Sequence, residues 1–369
     1  MIQQQVREFA EKEIAPKAAE LDKNEEFPHE IVKKMADMGL FGLPFAEEYG
    51  GSDAGYLAYA IAVEEISRAC ASTGITYAAH CSIGTGPIYL FGTEEQKKKW
   101  VVPCAEGRMF AAFGLTEPNA GSDAGGTQTT AVLDGDEWVL NGTKCFITNV
   151  GVGGVAIITA VTDRAKGTRG ISAFIVPTDT PGFSVGPPYK KLGLKASDTR
   201  EIILEDVRIP RENLLGKEND GFKQFLAVLD GGRISIGALS VGIAQASLDA
   251  ALKYAKEREQ FGQPISKFQA IQFKLADMAT KTELARLMVH KAASLKDNGL
   301  PFSKEAAMAK LYASEICVEN ALEAIQIYGG YGYTKEYPVE RYLRDAKLMT
   351  IGEGTSEVQR IVIARILGC

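Results

Sequence analysis

One carboxylate near the C-terminus is set apart by its neighbours. Glu353 lies between two glycines in the run Ile351-Gly352-Glu353-Gly354-Thr355-Ser356-Glu357-Val358-Gln359-Arg360. Glycine on both sides allows a large flat ligand to come close to the acid. A carboxylate pressed against such a surface loses its water, rises in pKa and becomes a usable base near neutral pH. Ser356 and Gln359 have the S-x-x-Q spacing of a capping box, and Val358, Ile361, Val362 and Ile366 open an apolar helical face. A helix beginning there would leave the backbone N–H groups of Gly354 to Glu357 free to hold an anion such as a pyrophosphate. The competing reading is an ordinary acid at a helix N-terminus, favoured by the macrodipole.

Two other runs offer groups to a ligand. Phe113-Gly114-Leu115-Thr116-Glu117-Pro118-Asn119-Ala120-Gly121-Ser122-Asp123 supplies backbone donors, hydroxyls and glycines suited to a polar ring edge or a phosphate. Phe146-Ile147-Thr148 sets an aromatic face beside a hydroxyl, although core packing of a strand would use the same residues. Gly151-x-Gly153-x-x-Ala156 has the spacing of a dinucleotide fingerprint but follows a hairpin and leads into a β run, which is the wrong context. His29, His80 and His290 lie far apart and the six cysteines form no C-x-x-C pair, so no metal site is expected.

The elements that must position these residues change texture twice along 369 residues, a length that calls for more than one domain. Residues 1–107 read as helices, including Leu57 to Arg68 and a short helix opened by a Thr93…Gln96 capping box. Residues 108–215 read as β: a hairpin with Asn141-Gly142 in its turn, then Val155 to Val161, Ile171 to Val176 and Glu201 to Leu204. Strands with no helices between them imply a compact β-domain, not a parallel α/β sheet. Residues 216–369 return to helices, Arg233 to Arg258, Ile271 to Leu295 and Lys304 to Tyr328, the last closed by Gly329-Gly330. A net charge of −6 with no basic patch argues against nucleic-acid binding. Scattered cysteines fit a reducing compartment. No apolar run is expected to span a membrane and no signal peptide is expected at the head of the chain; its start inside a helical pattern without a cap leads to the expectation that a few residues of the first helix are missing.

Read together, these segments resemble the flavin-dependent acyl-CoA dehydrogenases over essentially the full length. The resemblance rests on Phe113 to Ser122, on Asn141-Gly142-Thr143-Lys144 with Phe146-Ile147-Thr148, and on Leu229-Asp230-Gly231-Gly232-Arg233. It continues in Arg258-x-x-Phe261-Gly262 with Phe268-Gln269, in Gln326 to Tyr333, and in Glu353-Gly354-Thr355-Ser356-Glu357. Leu57 to Arg68 is most similar to the short-chain, butyryl-CoA type members. The resemblance implies a mainly α fold with a central β-domain: an N-terminal helical bundle, a middle β-barrel and a C-terminal four-helix bundle.

It also implies an activity, oxidation of a short acyl-CoA of roughly four or five carbons to its trans-2-enoyl-CoA as in fatty acid β-oxidation. Glu353 matches the base that removes the pro-R α-proton, while the β-hydrogen leaves as hydride to FAD. Phe113, Leu115, Thr116, Gly121, Ser122, Phe146, Ile147 and Thr148 match residues around the flavin, and Thr355, Ser356 and Glu357 match further FAD contacts. Ser122, Asp230, Gly231, Gly232, Arg233 and Gly354 match substrate-contacting positions. Arg258, Phe261, Gln269, Gln326, Gly329 and Gly330 match residues that reach the FAD of a neighbouring subunit, implying a homo-oligomer, a dimer of dimers. The implied electron acceptor is an electron-transfer flavoprotein. The implied compartment is a bacterial cytoplasm, or a mitochondrial matrix for a mature eukaryotic chain.

Four positions depart from common family patterns. Gly352 replaces a frequent Tyr, which widens the pocket and keeps a branched-chain (isovaleryl or 2-methylbutyryl type) or cyclic acyl-CoA open as an alternative. Phe146 replaces a frequent Trp over the flavin, and Gly232 stands where isovaleryl-type members carry their base. Gly74 replaces the Arg of glutaryl-specific members, which disfavours a dicarboxylate. His80, in the segment matching the acyl pocket, is expected to be a hydrogen-bonded core histidine. An oxidase passing electrons to O₂, or a flavin-bearing scaffold without activity, are the remaining alternatives.

Overall fold

The computed structural model describes residues 1–369. Short helices come first: α1 (Ile2–Phe9), α2 (Ala18–Asn24) and α3 (His29–Asp37), then α4 (Gly55–Ala69), α5 (Ala71–Ala79), α6 (Gly86–Phe91), α7 (Glu94–Gln96) and α8 (Val102–Ala105). The Thr93–Gln96 capping box is present in both directions, which fixes the start of α7. Seven strands follow: β1 (Ala111–Gly114), β2 (Thr130–Asp134), β3 (Glu137–Thr148), β4 (Val155–Val161), β5 (Ile171–Pro177), β6 (Phe183–Val185) and β7 (Thr199–Pro210). The chain ends in long helices, α9 (Gly221–Glu257), α10 (Gln269–Asp297) and α11 (Ser303–Tyr328), then α12 (Val339–Met349) and α13 (Ser356–Leu367).

The strands form one mixed sheet in the order β1-β4-β2-β3-β7-β6, with β5 paired to β4. It curls around its own core of Trp138, Leu140, Phe174, Ile202 and Val207. The Asn141-Gly142 turn expected from sequence is a correction. β3 runs straight through both residues, and the hairpin turns instead at Gly135-Asp136, where Asp134 faces Glu137 and Gly135 has φ +63. Asn141 and Gly142 mark a bulge against β7, where Asn141 exchanges two hydrogen bonds with Asp206. A Cβ on Gly142 would lie 2.4 Å from the Thr129 hydroxyl oxygen, so close approach of β2 explains the glycine.

The first and last helical segments share a single core. Tyr59, Val63 and Ile66 of α4 pack with Ile234, Leu239 and Val241 of α9 and with Ala309 and Ala313 of α11. A Cβ on Gly242 would meet the Glu64 carbonyl oxygen at 2.5 Å, so these helices touch backbone to backbone. Asp297, at the end of α10, accepts hydrogen bonds from Tyr56 N–H at 2.6 Å and Leu57 N–H at 2.9 Å, capping α4 from another segment. By length and composition α9 alone could cross a membrane, but 78% of its most apolar window is buried inside the protein, as in a core helix.

His80 is the core histidine expected. It is fully buried, accepts from Ala111 N–H through Nδ1 at 3.0 Å, and donates from Nε2 to the Cys104 carbonyl at 3.0 Å. The neutral ring thus ties the helices to β1, the strand that opens toward Phe113, and burial pushes its pKa down to about 4.

Candidate active site

Glu353 sits in the link between α12 and α13, in a left-handed conformation with φ +52, followed by Gly354 with φ +92. The helix starts one residue earlier than the capping motif suggested. Thr355 is the N-cap, its hydroxyl accepting from Val358 N–H at 3.2 Å, while the Ser356 hydroxyl is buried without a partner. Gln359 turns back instead, donating to the Gly354 carbonyl at 2.9 Å. Of the N–H groups expected to be free, that of Ser356 is taken by the Thr350 carbonyl at 3.1 Å. Those of Gly354, Thr355 and Glu357 donate to no carbonyl, and neither does the Glu353 N–H just before them.

Glu353 is a partly exposed residue, yet one oxygen of its carboxyl is turned inward. Oε2 is shut off from solvent and has no hydrogen-bond partner. Burial raises this carboxyl to about 7 and outweighs the opposing pull of Lys310 and Arg233. It therefore exchanges its proton near neutrality, as a base at that pH must.

The structure brings Asp230, Gly231, Gly232, Arg233, Glu353 and Gly354 together. A Cβ on Gly232 would lie 2.2 Å from Glu353 Oε2, and one on Gly231 would lie 2.9 Å from both the Tyr56 hydroxyl and Lys296 Nζ. Arg233 is buried and paired with Asp230, which also accepts from the Ser303 hydroxyl at 2.5 Å. Arg233 Nε keeps no partner.

Sequence reasoning missed four residues here: Tyr56, Lys296, Ser303 and Lys310. Lys296 Nζ sits 4.0 Å from the Tyr56 ring centre, and burial lowers its pKa to about 8. Lys310 is fully buried and donates to the Gly354 carbonyl at 2.7 Å. One signal was readable: Lys310 falls on an alanine face with Ala306, Ala309 and Ala313, where a surface lysine does not belong.

On the β-domain, Phe113 is the penultimate residue of β1, and the following loop is tied to β3. The Cys145 N–H donates to Thr116 O at 2.8 Å. Lys144, fully buried, reaches Glu117 Oε1 at 2.7 Å, Leu115 O at 3.2 Å and the Thr159 hydroxyl at 3.2 Å. This ion pair sets Leu115 and Thr116 beside Phe146. Phe146 has φ +58 and is 66% exposed, its ring tilted against Tyr189 at 5.0 Å. Thr148 is partly buried, and Gly121 and Ser122 are exposed. Ile147 points its side chain into the sheet core, so only its backbone can meet a ligand.

The remaining candidates lie elsewhere. Arg258, Gly329 and Gly330 line a separate cleft of about 480 Å³ with Tyr254, Gln260 and Tyr331. Phe261 is 93% exposed, and Gln269 and Gln326 are also exposed. Sixteen residues of α11 separate Lys310 from Gln326, about 24 Å of helix. Within one chain these residues do not meet Glu353. Thr355 and Glu357 lie beside it, with Glu357 facing solvent. No group of three His, Cys, Asp or Glu side chains gathers that could hold a metal ion.

Sequence profiles of the N-terminal, middle and C-terminal domains of acyl-CoA dehydrogenase match residues 1–108, 112–207 and 219–368. The probable acyl-CoA dehydrogenase YngJ of Bacillus subtilis is 62% identical over 368 residues, which cover 100% of this chain and 97% of that one. Butyryl-CoA dehydrogenase from Megasphaera elsdenii superimposes with a TM-score of 0.98 at 46% identity, over 100% of this chain and 98% of that one. A chain from a structure of the electron transferring flavoprotein of Acidaminococcus fermentans superimposes with a TM-score of 0.98 at 52% identity, over 100% and 97%.

The fold and its relatives define a flavoprotein oxidoreductase. More narrowly, the chain belongs to the acyl-CoA dehydrogenase family, and its cofactor is FAD. The residues present fit that group. Phe146 offers an uncovered ring, nothing approaches within 4 Å of a Cβ on Gly121, and the Gly354 and Thr355 N–H groups are open to a polar ligand.

Proposed function

We propose that the chain dehydrogenates a short-chain acyl-CoA to the trans-2-enoyl-CoA, with Glu353 taking the α-proton. The observation that carries this reading is the Glu353 carboxyl itself, with Oε2 shut off from water and unpaired and the group raised to about 7 by burial. An α-proton of a thioester is too weakly acidic for a solvated carboxylate to remove quickly. Desolvation strengthens the base, and a hydrogen bond from the free Glu353 or Gly354 N–H to the thioester oxygen stabilises the developing enolate. Gly231 and Gly232 let the Glu353 carboxylate, the Tyr56 hydroxyl and Lys296 close onto α9, while Asp230, accepting from Ser303, pairs with Arg233 beside them. Phe113, Leu115, Thr116, Gly121, Ser122, Phe146, the Ile147 backbone and Thr148 would hold FAD. Once bound, FAD supplies the acceptor for the β-hydrogen as hydride.

The likeness to butyryl-CoA dehydrogenase supports the short-chain preference, and Gly352 leaves space against Leu348, which lies 3.7 Å from a Cβ there. The likeness to a chain from an electron transferring flavoprotein structure supports such a protein as electron acceptor. Exposed apolar residues on α10 and α13 (Phe273, Leu284, Leu287, Ile361 and Leu367), with Phe261 reaching outward, support a homo-oligomer whose Arg258 cleft serves a neighbour's FAD. The relative from Bacillus subtilis and six free cysteines support a bacterial cytoplasm.

Anaerobic titration of the holoenzyme with butyryl-, isovaleryl-, isobutyryl- and hexanoyl-CoA tests the reading. Bleaching of the flavin by butyryl-CoA at lower concentration than by the others is expected. A flavin left oxidised by all four would overturn the assignment, and stoichiometric peroxide in air would replace the flavoprotein acceptor with O₂.

A further inference from the structure

We propose that Lys310, together with Gln359, is a positioning residue for Glu353, clamping the Gly354 carbonyl so that the carboxylate stays aimed past Gly232 into the site. The proposal rests on the reading of Glu353 as the base. Two side chains from two helices converge on that one carbonyl. Lys310 Nζ arrives from α11 at 2.7 Å and Gln359 Nε2 from α13 at 2.9 Å, and both side chains are fully buried. Gln359 also reaches the Glu353 carbonyl at 3.4 Å.

The backbone explains why a clamp is needed. Glu353 and Gly354 are successive left-handed residues, and a glutamate in that region is strained. Released, the link would relax toward ordinary dihedrals and swing the carboxyl out of its buried position. Lys310 is an expensive way to hold one neutral carbonyl, because an ammonium has three donors and is costly to bury. Its charge has a use only through a neighbouring anion, and that anion is Glu353.

Few other charges face this carboxyl. Arg233 approaches from α9 but is already paired with Asp230, and Tyr56 approaches from α4 as a neutral phenol. Glu315 and Cys317 lie near Lys310 on its own helix. Lys296 of α10 also enters the site, beside Gly231 and the Tyr56 ring, but the cations that act on Glu353 are Lys310 and Arg233, and of these two Lys310 is the one without another carboxylate partner.

The test measures flavin reduction at saturating butyryl-CoA across pH 5–9 in holoenzyme carrying Lys310→Met, Lys310→Arg, Gln359→Leu or Glu353→Gln. FAD content, KM and an infrared titration of the Glu353 carboxyl accompany each. Losing the ammonium removes the charge that favours the carboxylate, so its pKa must rise. Lys310→Met should keep FAD and KM within about twofold, lower the rate about tenfold or more, and move both the acid limb and the carboxyl titration up by about one pH unit. Lys310→Arg should restore the limb. Gln359→Leu should lower the rate with the limb unmoved, and it keeps the test open if Lys310→Met does not fold. An unmoved limb and carboxyl titration in folded Lys310→Met, or a wild-type rate in Gln359→Leu, overturns the clamp. Glu353→Gln separates the two readings: wild-type reduction by that variant sinks the base and the clamp together. An inactive Glu353→Gln beside an unaltered Lys310→Met sinks the clamp alone.

Discussion

Gly232 and Glu353 compete for one volume: a Cβ on the glycine would stand 2.2 Å from Oε2 of the carboxylate. The two residues are 121 positions apart in the chain, on α9 and in the link before α13. Because α9 offers no side chain at that point, the carboxyl can turn inward against the helix and lose its water. That contact ties the family departure at position 232 to the burial of the acid.

Gly232→Ala should therefore displace the carboxylate while leaving α9 helical. Steady-state kinetics are expected to show kcat/KM lower by about 10²-fold, the order caused by a misplacement of about 1 Å. FAD content should be unchanged. Activity within twofold of wild type would mean that the carboxylate has room to move without loss.

Removing only the proton acceptor gives a cleaner test of the chemistry. Glu353→Gln keeps shape and should retain FAD and bind acyl-CoA, but it should slow flavin reduction by about 10²- to 10⁴-fold. Stopped-flow bleaching at a near wild-type rate would refute the role proposed for Glu353.

Arg258 can be tested without any turnover. It lines the cleft formed with Gly329, Gly330 and Tyr331, its guanidinium 5.9 Å from the Tyr331 ring centre. If a phosphate of a neighbour's FAD binds there, Arg258→Ala loses a charge-assisted partner, and less FAD should survive gel filtration. Equal occupancy in both proteins would remove Arg258 from the cofactor's surroundings.

His80 predicts a pH dependence of stability. Its folded pKa of about 4 lies below the ordinary value of 6.5, so the unfolded chain binds the extra proton between those two values. The contribution is fully present above pH 6.5 and is lost as the pH falls toward 4, on the order of 3 kcal/mol in all. Asp345 and Glu353, both raised to about 7, act in the opposite sense, so the comparison must be with His80→Gln. In urea melts at pH 7.5 and 5, the stability of wild type should fall by about 2 kcal/mol relative to that of the variant. Parallel changes would show that the ring does not stay neutral.

Much of this molecule was legible in its order of residues. Thr93 and Gln96 face each other within one turn, so their capping box could be recognised from spacing and is there in the structure. Asn141-Gly142 misled, because a glycine at a bulge and a glycine in a turn carry the same local signature. Which one forms depends on Thr129, just before β2, and on Asp206 across the sheet. The same holds at the link that carries Glu353. Ser356 and Gln359 have capping spacing, but Gln359 is drawn back to Gly354 and the cap passes to Thr355.

Alone, the amino-acid sequence determined the helix–strand–helix texture, the acid between two glycines, and the histidine suited to a core. Each depends on residues a few positions apart, and local periodicity reports local burial. Only the tertiary structure decided that Lys310, Arg233 and Gly232 surround that acid, and that Arg258 and Gln326 lie far from it. Desolvation of a carboxylate is set by whatever packs over it, and here the covering atoms come from α4, α9 and α11, dozens to hundreds of residues away.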